Sequence, residues 1–434
     1  MRTDLPPSDL ASRDLSARDL PARERPSLRR DFRRLWTADT VSQLGTGVTL
    51  VALPLVAIRT LHATPLEAGL LVMCEYLAAL LIGLPVGAWV DRMRHRRVMI
   101  TADLARAALL GSVPVAAALD LLSLPQLYLV AFGLSVGTAF FDTAFQSHLP
   151  RLLGGDDLLA GNVRLETTRN VVQIGGPGLG GGAVAALGAP FAVVVNTLTY
   201  VLSALSLARI RTPEQRPRPD GRSRLRTEIA EGLRFVLGDR LLRAVTLSSA
   251  VSNLCGTIGA SMLLVLLADR LGLSAFLCGL VFTLEAVGGL LGALLVGRAV
   301  ARFGQGRAMC LSLTVSGLLW LLAVPLYQAD WRFAVAITLN ALGWAAFMTY
   351  KISVVSLRQQ TCPPELLGRV TATFRFVVWG LMPFGALIGG LLGQTVGARA
   401  ALWTGALGEL LAVAPLLLSP LRALRDLPQA GARA

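Results

Sequence analysis

Three carboxyl side chains stand where a carboxylate is costly. Glu75 lies in the apolar run GLLVMCEYLAALLIGLPVGAW (69–89), Glu285 in GLVFTLEAVGGLLGALLVG (279–297), and Asp142 in GLSVGTAFFDTAFQSHLP (133–150). The two glutamates fall roughly 15 Å from the outer ends of their runs if each run is helical at 1.5 Å per residue. An ionised carboxylate at that depth in hydrocarbon is expensive unless paired, so such a group can take a proton from one side and release it on the other. That is the chemistry of coupling to a proton gradient. The alternative is a permanently protonated glutamic acid bonded to a neighbouring helix. Asp142 and Arg169 share a depth near one end of their runs and read as an ion pair. Lys351 and Arg375 occupy the matching depth in the second half with no acid between them, which suits either an anionic ligand or snorkelling to the surface. Asp39, Asp103 and Arg106 read as pairs near helix ends.

Little else in the chain can do chemistry. Cys74, Cys255, Cys278, Cys310 and Cys362 are scattered, with no CxxC or Cys/His cluster. Neither a metal site nor a disulfide framework is expected. No nucleophile–base set and no phosphate-cradling glycine loop is present, so the reading is of a protein that is not an enzyme and uses no cofactor. The elements that position the carboxyls are membrane spans: of 434 residues, 54% are hydrophobic and only 16% charged, too little polar surface for a soluble protein of this length. The net charge of +14 sits in short loops between apolar runs, which is a topology signal and excludes nucleic acid as the partner. Residues 1–30 lack the apolar core of a cleavable signal, so the first span is expected to direct insertion.

About twelve apolar runs follow one another between residues 33 and 419. The tail and alternate loops carry most of the arginines, which places both termini in the cytoplasm of a multi-pass protein of the cell membrane. The runs are duplicated. Gly69–Met99 and Gly279–Met309 align Glu75 with Glu285, Gly87 with Gly297, Arg92 with Arg302 and Arg97 with Arg307. The expected organisation is a disordered cytoplasmic tail (1–31), a six-helix bundle (32–208), a basic cytoplasmic linker (209–240), a second six-helix bundle (241–420) and a short cytoplasmic tail (421–434). The fold class is all-α, with two six-helix bundles in parallel duplication, an architecture whose halves rock about a site near the bilayer midplane.

Two motifs carry a resemblance. Gly87-Ala88-Trp89-Val90-Asp91-Arg92-Met93-Arg94-His95-Arg96-Arg97 is similar to the loop signature between spans two and three of the major facilitator superfamily; Ala301 replaces the acid in the second copy. Gly176-Pro177-Gly178-Leu179-Gly180-Gly181 resembles the span-five signature of its drug-exporting branches. Phe32-Arg33-Arg34-Leu35-Trp36, Ser42-Gln43-Leu44-Gly45 and Leu149-Pro150-Arg151-Leu152 are similar to the branch of enterobactin and macrolide exporters. The span-four arginine typical of proton-driven drug antiporters has no counterpart here.

The resemblance implies a major facilitator fold, with Gly87, Asp91, Arg92, Arg96 and Arg97 as a conformational switch. Asp91 would cap the start of span eleven near Leu367, Gly368 and Arg369 in one state. Gly176, Pro177, Gly180 and Gly181 would pack a bent span five against the other bundle. Glu75, Glu285 and Asp142 become the proton-coupling candidates. Gln43, Thr46 and Asn253 on the cavity-lining spans one and seven, with Phe347 and Phe374, become candidates for the substrate cavity. Span twelve lies at the periphery of that fold, so Glu409 is expected to be structural. The implied activity is secondary export of a bulky amphipathic small molecule, such as an antibiotic, siderophore or secondary metabolite, by proton antiport in a monomer. An uptake permease of the same fold stays open as the alternative; a membrane-embedded receptor or enzyme has less support.

Overall fold

The computed structural model describes residues 25–83, 85–153, 156–212 and 233–423, and those residues are helical with no strand. Most of the expected tails (1–24 of 1–31 and 424–434 of 421–434) and the middle of the expected linker (213–232 of 209–240) lie outside the described residues. Span one begins at Arg25, seven residues inside the expected tail, and runs Arg25–Leu55 with a π-helical turn, Val56–Thr60. Span two is Pro65–Ile82 followed by Pro85–Val90, three is His95–Ala118, four Leu124–Leu152, five Asp156–Leu187 and six Ala189–Ala208. Span seven is Arg240–Leu264 with the π-helical Val265–Arg270, eight Ala275–Phe303, nine Gln305–Ala323 and ten Arg332–Thr361. Span eleven is split into Pro364–Trp379 and Met382–Thr395, and span twelve is Ala398–Leu411.

Local sequence explains the boundaries. Thr64 and Glu67 form a capping box at the start of span two, the Glu67 amide donating to Thr64 Oγ1 and the Thr64 amide to Glu67 Oε2. Asp239 accepts the amides of Leu241 and Leu242 at the start of span seven. Gly188 between spans five and six and Gly397 between eleven and twelve hold φ of +82° and +114°, so equivalent tight corners in the two halves both need glycine. Pro85 and Pro383 lack amide hydrogens and interrupt spans two and eleven.

Eleven helices among the described residues are long and apolar enough to cross a membrane. The twelfth expected crossing, Asp156–Leu187, is a continuous helix of 32 residues but too polar to be counted with them. Its first half carries Arg164, Glu166 and Arg169 and its second half is rich in glycine. It is sheltered between spans one and eight. Within the first half, span one packs on five and six, three on four and six, and two on four; within the second, seven packs on eleven and twelve, eight on ten, and nine on ten and twelve. Two seams join the halves, span two to Met382–Thr395 and span five to span eight.

Without a hydrophobic drive between helices in lipid, close approach of small residues holds these seams. A Cβ built on Gly69 would fall 2.7 Å from Gly390 Cα, one on Gly181 2.4 Å from Ala275 O, and one on Gly279 2.3 Å from Pro177 O. The Arg59 guanidinium adds a hydrogen bond to Leu273 O. All of these contacts lie on the side of the molecule away from Arg25 and Ala423, the terminal described residues. On the terminal side the halves are separated by a cavity.

Candidate functional site

Two cavities bear on the expected site, one between the bundles and one within the second bundle. The first, about 350 Å³, sits in the terminal half and is lined from span two (Ala79, Gly83), span four (Thr138, Asp142) and span eleven (Arg375, Trp379). Asp142 and Arg375 thus face one cavity from opposite bundles. The Arg375 guanidinium stacks over the Trp379 ring at 4.3 Å. The second cavity, about 210 Å³, lies nearer the sealed side inside the second bundle, and Tyr76 of span two contributes to its wall. Asn253, Phe347, Glu285 and Glu409 line it.

The carboxyls have different surroundings. Glu75 is half-buried on the helical face that continues to Ala79 and Gly83, and has no hydrogen-bond or ion-pair partner among the described residues. Asn340 Nδ2 donates to Glu285 Oε1 at 2.7 Å. Ser252 Oγ donates to Glu409 Oε2 at 2.6 Å, and Glu409 is almost fully buried. Span twelve, expected at the periphery, packs on spans seven and nine and brings this acid, expected to be structural, to the cavity wall. The mid-span position of a lone acid was the signal available in the sequence.

The expected Asp142–Arg169 pair does not form. Arg169 instead makes a bidentate pair with Asp39 of span one, both contacts at 3.2 Å, because spans one and five are packed neighbours. Asp103 and Arg106 pair as expected but deep in the first bundle rather than at a loop end. Arg106 is enclosed between the rings of Phe141 and Tyr200, at 4.7 and 4.4 Å, and reaches Thr138 of span four at 3.3 Å. A span-three arginine therefore stands against Thr138 of span four, within the segment 133–150 that has no arginine of its own. Lys351 is exposed.

Of the other cavity candidates, Gln43 is half-buried and Thr46 exposed on span one. Thr46 Oγ1 donates back to Ser42 O at 3.0 Å and lies 3.4 Å from the Tyr200 hydroxyl. Phe374 lines neither cavity; it is buried in the second bundle beneath the Arg358 guanidinium, 4.1 Å from its ring.

The motif residues take distinct places. Gly176 and Gly180 meet Gly47 and Val48 of span one, while Pro177 and Gly181 meet Gly279 and Ala275 of span eight, so one face of the signature packs within its bundle and the other across. In the loop after span two, Gly87 has open space around it and Arg92 and Arg97 are exposed. Asp91 is exposed and makes no hydrogen bond or ion pair among the described residues, so the cap on span eleven is not formed in this conformation. Arg96 is the anchored member: its Nε donates to Leu207 O at 3.0 Å and its Nη2 to Ala208 O, neutralising the carbonyl end of span six.

A family model described as "Transmembrane secretion effector" matches residues 25–432. The chain belongs to this family of major facilitator transporters. The multidrug efflux pump Tap of Mycolicibacterium fortuitum is 30% identical over 371 residues, 82% of this chain and 87% of that protein. The enterobactin exporter EntS of Shigella dysenteriae serotype 1 is 27% identical over 368 residues, 83% and 85% of the two chains. Among solved structures, a bacterial homologue of the iron transporter ferroportin in an inward-facing state superposes with a TM-score of 0.73 over 89% of this chain and 98% of its own, at 18% identity, a likeness of fold. This transporter is a multi-pass membrane protein whose two helical bundles, sealed on one side, enclose carboxyl-bearing cavities.

Proposed function

We propose that this transporter is a secondary exporter that moves a bulky amphipathic small molecule out of the cell in exchange for protons. The observation that carries this reading is the pair of cavities beneath a glycine-sealed face, with three acids, Asp142, Glu285 and Glu409, on their walls. The efflux activity named for the two relatives agrees with it. The arginine-rich terminal side is the cytoplasmic one, so the conformation described here faces inward. Substrate enters from the cytoplasm or inner leaflet, and rocking of the bundles then opens the glycine seams and brings the terminal halves together.

Proton exchange is assigned to Glu75, Glu285 and Asp142. Glu75 carries the greatest weight because nothing around it offsets an ionised carboxylate, so its charge state follows the side to which it is exposed. Asp142 faces Arg375 across the terminal-half cavity, and closing that cavity would bring the two together. Asp91 then reaches the start of span eleven and adds a helix-terminus interaction to the closed state.

Transport into inverted membrane vesicles with an acidified lumen tests the proposal. Uptake of a member of a compound panel is expected, collapsing on addition of a protonophore. Uptake that persists with protonophore and follows a sodium gradient would overturn proton coupling. Accumulation only in right-side-out vesicles would overturn export.

A further inference from the structure

Three cations gather on the terminal side of the second bundle. Lys351 follows Phe347 and Trp344 by four and seven residues, so it continues the face of span ten that lines the inner cavity. It is exposed there and makes no ion pair among the described residues. Spans ten and eleven turn between Thr361 and Pro364, with Lys351 ten residues before the turn and Arg375 eleven after it. At 1.5 Å per residue both lie about 15 Å from the turn, at one depth. Arg375 faces the terminal-half cavity.

Arg358 lies behind them. Only 8% of it is exposed, and its Nε and Nη1 are buried with no hydrogen-bond partner among the described residues. Its guanidinium sits 4.1 Å from the centre of the Phe374 ring, the residue before Arg375. Arg375, another cation, is the charged side chain that bears on it, beside the Cys362 thiol. The first bundle treats its buried arginines differently, pairing Arg169 with Asp39 and Arg106 with Asp103. Asp142 is the acid on the terminal-half cavity wall, and it comes from the opposite bundle. A buried guanidinium with no counter-charge is costly. This wall is therefore electrostatically set to receive an anion.

Ammonium and guanidinium groups bind carboxylate, sulfonate and phosphate oxygens. Leu80, Val86, Phe376 and Trp379 line the same cavity, and its volume of about 350 Å³ falls within the roughly 300–1,000 Å³ of a drug-sized pocket. An apolar body fits there beside the charged group. We propose that Lys351 and Arg375, with Arg358 behind them, bind the anionic group of the substrate, so that the substrates of this transporter are amphipathic organic anions. The inference names the substrate class of the export reading above and rests on it. Asp142 takes the anion's place on Arg375 when the cavity closes. An anionic lipid headgroup has the same chemistry, and the experiment separates the two sources.

Equilibrium dialysis of the purified full-length protein in dodecyl maltoside, against a blank of empty micelles, tests it with pyrene-1-butyrate and its uncharged amide. The butyrate is expected to bind about tenfold tighter or more. Lys351→Gln and Arg375→Gln should each weaken butyrate binding about tenfold or more, as loss of a hydrogen bond to a charged group does, and leave amide binding unchanged. Arg358→Met keeps the apolar stem on Phe374 and removes the charge. It should weaken butyrate binding about threefold without lowering the melting temperature. A lowered melting temperature with unchanged binding would remove Arg358 from the site. Arg332→Gln, which removes an exposed cation elsewhere, should change nothing. Equal binding of the two probes, or wild-type butyrate affinity in both glutamine variants, would overturn the proposal. Displacement of the butyrate by phosphatidylglycerol but not by phosphatidylcholine would give the site to a lipid and overturn the substrate class. Should either glutamine variant fail to fold, the wild-type protein decides, because Lys351 is the only lysine in the chain. Butyrate is expected to slow acetylation of that residue, read by mass spectrometry, and the amide is not; labelling unaffected by butyrate counts against the site. These measurements need no gradient, so a protein that binds the anion but fails the vesicle assay loses the export reading alone. One that exports only neutral or cationic compounds loses the anion site alone.

Discussion

Gly69→Ala should move the conformational equilibrium without harming the fold, because in the far-side-sealed conformation the glycine lies against the backbone of the other bundle. A Cβ at this position would meet Gly390 Cα at 2.7 Å, Ala386 O at 2.8 Å and Gly390 N at 3.0 Å. All three are backbone atoms, so neither partner can yield by turning a side chain. Overpacking of this kind costs about 1–3 kcal/mol. On the proposed rocking cycle, opening the far side parts these backbones, so the whole cost is expected as a change of about 5- to 150-fold in the ratio of far-side-open to far-side-sealed molecules. Electron–electron distance measurements between spin labels at Ala186 (end of span five) and Arg270 (end of span seven) in a cysteine-free background report that ratio. Both positions are exposed and belong to opposite bundles. Gly182→Ala, whose Cβ would meet nothing within 4 Å, is the control and should match the parent. Gly47→Ala clashes with Gly176 inside one bundle at 2.8 Å and should lower thermal stability in every state without shifting the distances. A Gly69→Ala distribution indistinguishable from the parent would refute the reasoning, since the seal would then not depend on backbone contact at this seam.

Glu75→Gln, which fixes the group in its uncharged form, should keep insertion and substrate binding but abolish uphill export driven by a pH gradient in vesicles; sustained pumping would remove this residue from the mechanism. Asp103→Asn removes the ion-pair partner of Arg106, which lies between Phe141 and Tyr200, and should cost about 3–5 kcal/mol as for other broken buried pairs, seen as a lowered melting temperature in detergent. A cysteine introduced at the exposed Asp330 should react with an impermeant reagent on intact cells, and one at Arg222 only after permeabilisation. Labelling of Arg222→Cys from outside would invert the topology.

Much of the architecture is legible in the sequence because apolarity, proline and glycine act locally. The spans, the duplication that pairs Glu75 with Glu285, and the close packing demanded by Gly176 to Gly181 all follow from residue type and spacing. So does the cost of an acid at Glu75, Glu285 or Asp142, since hydrocarbon penalises charge whatever the helix touches. What faces what is not local: each residue turns a helix by about 100°, so an error of one position in phase moves a side chain from one neighbour to another. Depth along the spans suggested Asp142 for Arg169, yet rotation and neighbourhood give Arg169 to Asp39. The same uncertainty hid Phe374 in the core beneath Arg358, and concealed that Glu409 shares a cavity with Glu285. Composition decided that acids would lie within the membrane; only the packing of spans eight and twelve around one cavity decided that two of them would meet there without a base.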